Sequence, residues 1–140
     1  MSYLIDTNVV SELRRRSPDP GVVAWFEGRR SQTLYLSVLT LGELRKGIDG
    51  LTDDPRKHAL LDWLQVDLPR FFLGRVLPID ARIADHWGQL AARAGRPLPA
   101  VDSLLAATAL SHGLTLVTRN LRDFQFPGLE VVDPWSTGAA

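Results

Sequence analysis

Four carboxylates stand far apart in this chain, each where an apolar run ends or a helix turns. They are Asp6 in Leu4-Ile5-Asp6-Thr7-Asn8, Glu43 in Leu41-Gly42-Glu43-Leu44, Asp102 in Val101-Asp102-Ser103-Leu104, and Asp123 in Thr118-Arg119-Asn120-Leu121-Arg122-Asp123-Phe124. A carboxylate beside apolar residues is costly to desolvate unless something compensates its charge. A hard divalent cation does so, and it prefers oxygen ligands. If a fold gathers these acids, the chemistry they suit is metal-dependent cleavage of a phosphodiester.

Taken singly, each acid has a simpler role. Asp6 can cap the helix that follows it, although Thr7 and Asn8 could serve as well. Glu43 lies roughly 140° around its helix from the Leu41, Leu44 and Ile48 stripe, at about 100° per residue. That suits a solvent-facing glutamate, but Leu39, one turn earlier on the same side, places it at the border of a second buried face. Asp102 in a first helical turn complements the helix dipole. Asp123 could be a plain loop acid, with Asn120 capping a turn. Their shared placement carries the argument.

The elements that must position them follow from apolar patterning. Tyr3-Leu4-Ile5 is a continuous apolar run, which predicts a strand buried on both faces. A helix through Val9, Val10 and Leu13 follows. Asp19 before Pro20 predicts an N-cap and first helical position. Thr33 to Ser37 predicts a second strand, and Leu41, Leu44 and Ile48 a helix. Beyond the break at Gly50 to Pro55, a long helix is expected through Leu60, Leu64, Leu68 and Phe71, ended or kinked by Pro69.

Arg75 to Ile79 reads as a third strand. Asp80 then caps a helix carrying Ile83, Trp87, Leu90 and Ala94, which Gly95 ends. A helix from about Ala100 to His112 stops at Gly113. Leu114 to Thr118 is the fourth strand, and Val131-Val132 a short edge strand. Strands alternating with helices predict an α/β fold, with a short parallel sheet of four or five strands between helical layers. In such folds the crevice lies beyond the carboxyl ends of the strands, where strand order reverses. Asp6 and Asp123 follow strands one and four, and Glu43 and Asp102 lie in early turns of helices.

A chain of 140 residues with 45% apolar content predicts one folded domain. Its expected extent is 1–135, with 136–140 as a mobile tail. No cysteine is present, which excludes disulfides and thiolate metal sites. No apolar run reaches membrane-spanning length, and Met1 to Asp6 has no basic leader, so a cytoplasmic location is expected. Net charge is zero, which argues against a purely electrostatic nucleic-acid binder. Basic residues cluster only locally, as in Arg14-Arg15-Arg16 and at Arg119 with Arg122. His58, His86 and His112 fall in helical stretches away from the acidic segments. Trp25, Trp63 and Phe72 are read as core, or alternatively as contact residues for a partner.

At these residues the chain resembles the PIN-domain family, and most closely its VapC- and FitB-like toxins. The resemblance is carried by Leu4 to Leu13, Ser37 to Gly47, Pro99 to Ala109 and Leu116 to Phe124, in that order and spacing. It implies a PIN-like three-layer fold and an Mg²⁺- or Mn²⁺-dependent ribonuclease toxin. Its acidic site falls on Asp6, Glu43, Asp102 and Asp123. Asn8, Thr118 and Asn120 fall in supporting polar positions; Asn120 stands where some relatives carry an acid.

The resemblance also implies a homodimer and a small antitoxin that binds operator DNA. The nearby Arg14, Arg15, Arg16 and Arg119 are the candidate contacts to RNA phosphates. A haloacid-dehalogenase-like phosphatase would need a second acid two residues after Asp6, where Asn8 stands. A catalytically silent binding module of the same fold is the remaining alternative.

Overall fold

The computed structural model describes residues 1–137, with side chains to Trp135. Five parallel strands form one sheet in the order β3-β2-β1-β4-β5. They are β1 (Tyr3–Ile5), β2 (Leu34–Ser37), β3 (Val76–Leu77), β4 (Thr115–Val117) and β5 (Val131–Val132). Register runs Tyr3 opposite Leu34 on one side of β1 and Tyr3 opposite Thr115 on the other.

Alternation along each strand builds two cores. Ile5, Leu34, Leu36 and Val117 face one layer, with Val9, Val10, Val22 and Trp25 from α1 (Thr7–Leu13) and α2 (Pro20–Glu27). Leu4 and Leu116 face the other, with Leu105, Ala106 and Ala109 from α7 (Ala100–His112). The small alanines let α7 lie close on the sheet, as expected from its composition. The expected α/β three-layer architecture is therefore the one observed.

Chain reversals follow the expected capping. The Asp19 carboxylate accepts from the backbone N–H groups of Gly21 and Val22, ahead of Pro20. Asp80 does the same for Ile83 at the start of α6 (Ala81–Ala94). Gly95 and Gly113 end α6 and α7 in the left-handed region, at φ 67° and 65°. Buried Glu12, not singled out from sequence, accepts from the Asp19 N–H at 2.9 Å and from Arg15 at 3.3 Å, tying α1 to the turn before α2.

One expectation is corrected. Pro69 does not end its helix. Between α4 (Pro55–Asp62) and α5 (Leu68–Phe71), Trp63–Asp67 widens into a π turn, in which the Leu68 N–H reaches back five residues to the Trp63 carbonyl. That wider turn accommodates a residue with no N–H and a bulky ring. As the core reading expects, Trp25 and Phe72 are buried, whereas Val66, Phe71 and Leu73 are exposed. The backbone at 136 and 137 belongs to a short helix, α8 (Pro134–Thr137), and residues 138–140 of the expected tail lie outside the described residues.

Two glycines should respond with opposite sign. Gly113 sits at φ 65° with open space around a would-be Cβ, so Gly113→Ala is expected to destabilise by about 1 kcal/mol through backbone strain alone. Gly88, inside α6 with equal space, should gain about 0.5–1 kcal/mol on becoming alanine. Urea unfolding of the two variants measures both.

Candidate active site

The sheet topology builds a crevice before any side chain is placed. The chain leaves β1 towards β2 and β3 on one side, then returns through α6 and α7 to β4 on the other. The reversal falls between β1 and β4, so the connections that leave their carboxyl ends run to opposite sides of the sheet. Asp6 directly follows β1, and Thr118 directly follows β4. Helix α3 (Val38–Asp49) leaves the carboxyl end of β2 and carries Glu43 in its second turn. Helix α7 runs back towards the start of β4, so its first turn, with Asp102, lies at the same edge of the sheet.

Asp6 is the buried member, 6% exposed. Its Oδ1 accepts from the Thr7 N–H at 2.7 Å, and its Oδ2 from the Thr118 hydroxyl at 2.7 Å. The Asn8 amide lies 3.5 Å from the same Oδ2 and 3.2 Å from the Thr118 oxygen. Thr118 Oγ1 also receives the Asn120 N–H at 3.1 Å. Asn8 and Thr118 therefore support Asp6 directly, whereas Asn120 contributes through its backbone. Asn120 precedes the 3₁₀ turn Leu121–Phe124, yet its side chain makes no capping bond.

The electrostatics join the acids. Burial pushes the Asp6 carboxyl up to about 6; Glu43 and Asp102 add to the rise, while the Thr118 and Thr7 hydrogen bonds oppose it. Asp102 is half-buried and also raised, first by burial, then by Asp123 and Glu43. Asp6, Glu43 and Asp102 thus form one interacting group, and Asp123 joins it through Asp102. Among the described residues no lysine or arginine forms an ion pair with any of the four.

Glu43 differs from its expected setting. It is exposed, although buried Thr40 lies one turn before it. What aims it inward is Thr7, whose hydroxyl lies 2.6 Å from Glu43 Oε1. That distance is typical of a hydroxyl donating to a carboxylate. The Thr7 oxygen also sits 3.3 Å from the Thr40 hydroxyl. Since Thr7 has one proton to give, this second contact closes with Thr40 as donor. Thr7 therefore holds two acids, Asp6 through its N–H and Glu43 through its hydroxyl. Sequence reading had taken Thr7 only as a possible cap; the available signal was a hydroxyl adjoining Asp6 and another three residues before Glu43.

Among the described residues, no three Asp, Glu, His or Cys side chains are already close enough together to hold one ion. The donor set nonetheless fits a hard divalent cation in chemistry and charge. It consists of carboxylate oxygens alone, mutually repelling, uncompensated by protein cations and partly removed from water.

The arginines divide. Arg14 and Arg15 line a groove that opens at Thr7 and Glu43. Arg119 places its N–H 3.4 Å from Asn8 Oδ1 and stacks its guanidinium 4.9 Å from the Trp135 ring centre. Arg16 is exposed and forms no ion pair among the described residues. Two histidines are engaged elsewhere, His58 with Asp53 at 2.8 Å and His86 with Ser111 at 2.9 Å. His112 is exposed at the end of α7.

Residues 3–126 match the PIN domain family. The chain belongs to that family. It is 36% identical to the VapC ribonuclease Y4jK of Sinorhizobium fredii, over 94% of this chain and 96% of the relative. Its fold resembles that in the crystal structure of FitAcB from Neisseria gonorrhoeae, with TM-score 0.87 and 37% identity over 95% of this chain and 98% of that one. It equally resembles a chain of FitAB bound to IR36 DNA fragment, with TM-score 0.87 and 34% identity over 95% of each chain. In this PIN domain the four carboxylates, spread over 117 residues of sequence between 6 and 123, influence one another's charge near one edge of the sheet.

Two outcomes test this geometry. A folded-state carboxyl with a raised pKa binds its proton more tightly than the unfolded chain does. Its stabilising effect is complete below pH 3.8 and lost as pH rises through about 6. In EDTA, Asp6→Asn should therefore stabilise the chain by about 1–3 kcal/mol near pH 8, with the gain vanishing towards pH 4 in urea titrations. Separately, a double-mutant cycle of Thr7→Val and Glu43→Gln should show coupling of about 1 kcal/mol, and Thr7→Ser should preserve it. Zero coupling would mean that the hydroxyl does not hold the carboxylate.

Proposed function

We propose that this PIN domain is a metal-dependent endoribonuclease, the toxin of a toxin–antitoxin pair, acting in the cytoplasm. The observation that carries the reading is the electrostatic union of Asp6, Glu43, Asp102 and Asp123 at the switch point, with Asp6 pushed up to about 6. These residues would hold Mg²⁺ or Mn²⁺, which when bound supplies Lewis-acid polarisation of the scissile phosphate and activation of water. The chain's own part is to hold the donors still. Thr118 and the Thr7 N–H fix both oxygens of Asp6, Asn8 braces that corner, and the Thr7 hydroxyl restrains an exposed glutamate that would otherwise roam. No histidine is assigned a proton-transfer role.

The partner follows from the same charge. An acidic cluster without internal counter-ions is a receptor for a partner's arginine, which pairs with carboxylates through two hydrogen bonds. An apolar trough lined by Leu13, Phe26, Leu68 and Phe71, which shares Arg14 and Trp63 with the groove at Glu43, offers a companion surface for an antitoxin segment. The similarity to FitAB bound to a DNA fragment supports such a partner and contact with DNA through it; a homodimer is proposed from the family resemblance. A catalytically silent module would need neither the intact acids nor the two hydroxyls that orient them.

Purified chain incubated with defined RNAs should cleave them with Mg²⁺ or Mn²⁺ and stop in EDTA. Asp6→Asn and Asp102→Asn should lose at least about 100-fold in rate, since each removes a buried or half-buried donor. Expression of the wild type should arrest growth, and either variant should relieve it. Because protons compete with cations for Asp6, Mn²⁺ affinity measured by calorimetry should fall about tenfold per pH unit below about 6. Metal-independent cleavage, or a pH-flat affinity, would contradict the proposal.

A further inference from the structure

The groove that opens at Thr7 and Glu43 continues away from the acids between α1, α3 and α4, and its composition serves no purpose in holding them. Arg14, Arg15 and Arg56 all line it, as does the indole of Trp63. The whole chain carries no net charge, so three guanidinium groups around one groove are a local concentration. Glu43, at the mouth, is the only acid along it. A Cβ placed at Gly47, in the wall, would meet nothing within 4 Å, so the channel is open there.

The three arginines are held differently. Arg15 is anchored at 3.3 Å by Glu12, whose other oxygen is tied to the Asp19 N–H. Arg14 lies with its guanidinium 5.2 Å from the Trp63 ring centre. Arg56, in the first turn of α4, has no ion-pair partner among the described residues. Together they form a negative pocket continued by a positive channel with a flat aromatic and guanidinium surface. An acidic peptide would suit the channel but not the acids. A polyanion that places one phosphate on a cation at the acids and its neighbours on arginines suits both.

We propose that this groove is the track of single-stranded RNA leading to the acids, with Arg15 and Arg56 taking backbone phosphates and the Arg14–Trp63 face stacking one base. Unpaired bases stack on aromatic rings and on arginine planes, and phosphates pair with guanidinium groups. The inference rests on the ribonuclease reading and extends it to a substrate path that includes Arg56 and Trp63.

The test uses the full chain carrying Asp6→Asn, which blocks cleavage without altering the groove, in Mg²⁺. A labelled single-stranded RNA of about twelve nucleotides is followed by fluorescence anisotropy across a salt series. Arg56→Gln should weaken binding about fivefold and flatten the logarithmic salt slope by about 0.7. Trp63→Leu should weaken it about tenfold with the slope unchanged, and Trp63→Phe, which keeps a stacking face, should recover most of the loss. Arg93→Gln, in the last turn of α6, should bind like the parent, and thermal melts should confirm that all variants fold.

Parent-like RNA affinity in both Arg56→Gln and Trp63→Leu would overturn the track while leaving the ribonuclease reading intact. So would losses confined to complex formation with the co-encoded antitoxin, which would assign the groove to a protein partner. A folded parent that binds no RNA at low salt would remove the ribonuclease reading and the track with it.

Discussion

One carboxylate is held where burial and like charge both oppose it. Asp6 is nearly inaccessible, and its neighbours Glu43 and Asp102 are acids too. Its hydrogen bonds from Thr118 and the Thr7 N–H recover only part of the cost, and the carboxyl remains raised to about 6. A fold selected for stability alone would place a neutral residue there. A divalent cation bound there would relieve the tension, so an affinity for the cation and a stability cost without it would have the same origin.

Everything around that carboxylate can be understood as scaffolding. Strand order reverses beside β1, which opens the crevice. Helix α7, rich in alanine, lies close on the sheet and brings Asp102 to the edge. Helix α3 leaves β2 with Glu43 exposed, and a single threonine hydroxyl turns it inward. Thr7 and Thr118 flank Asp6 from the ends of two neighbouring strands. Two hydroxyls thus constrain two carboxylates that lie 36 and 112 residues from them in sequence.

The strands and helices were legible because their apolar runs, caps and terminating glycines agree with one another. Tyr3–Ile5 reads as buried on both faces, and the two cores show that it is. Ala100–His112 is bounded where Pro99 and Gly113 suggest. That the helix passes through Pro69 was not legible, because a π turn depends on how a helix packs and composition carries no mark of it. At the site, the identities of the acids could be read from sequence, but their individual environments could not. Burial separates Asp6 from exposed Glu43 and Asp123, and burial depends on the whole fold. Thr7 escaped notice because threonine beside an aspartate is common, and only the approach of α3 gives its hydroxyl something to hold.

The central claim is that the four acids close on one cation. The most direct measurement is anomalous diffraction from crystals of the chain soaked in Mn²⁺. The account predicts a strong peak between Asp6, Glu43 and Asp102, with Asp123 reaching it directly or through water, and carboxylate oxygens at the distance of hard-cation ligands. A peak elsewhere on the molecule, or none at saturating Mn²⁺ with the carboxylates still apart, would contradict it.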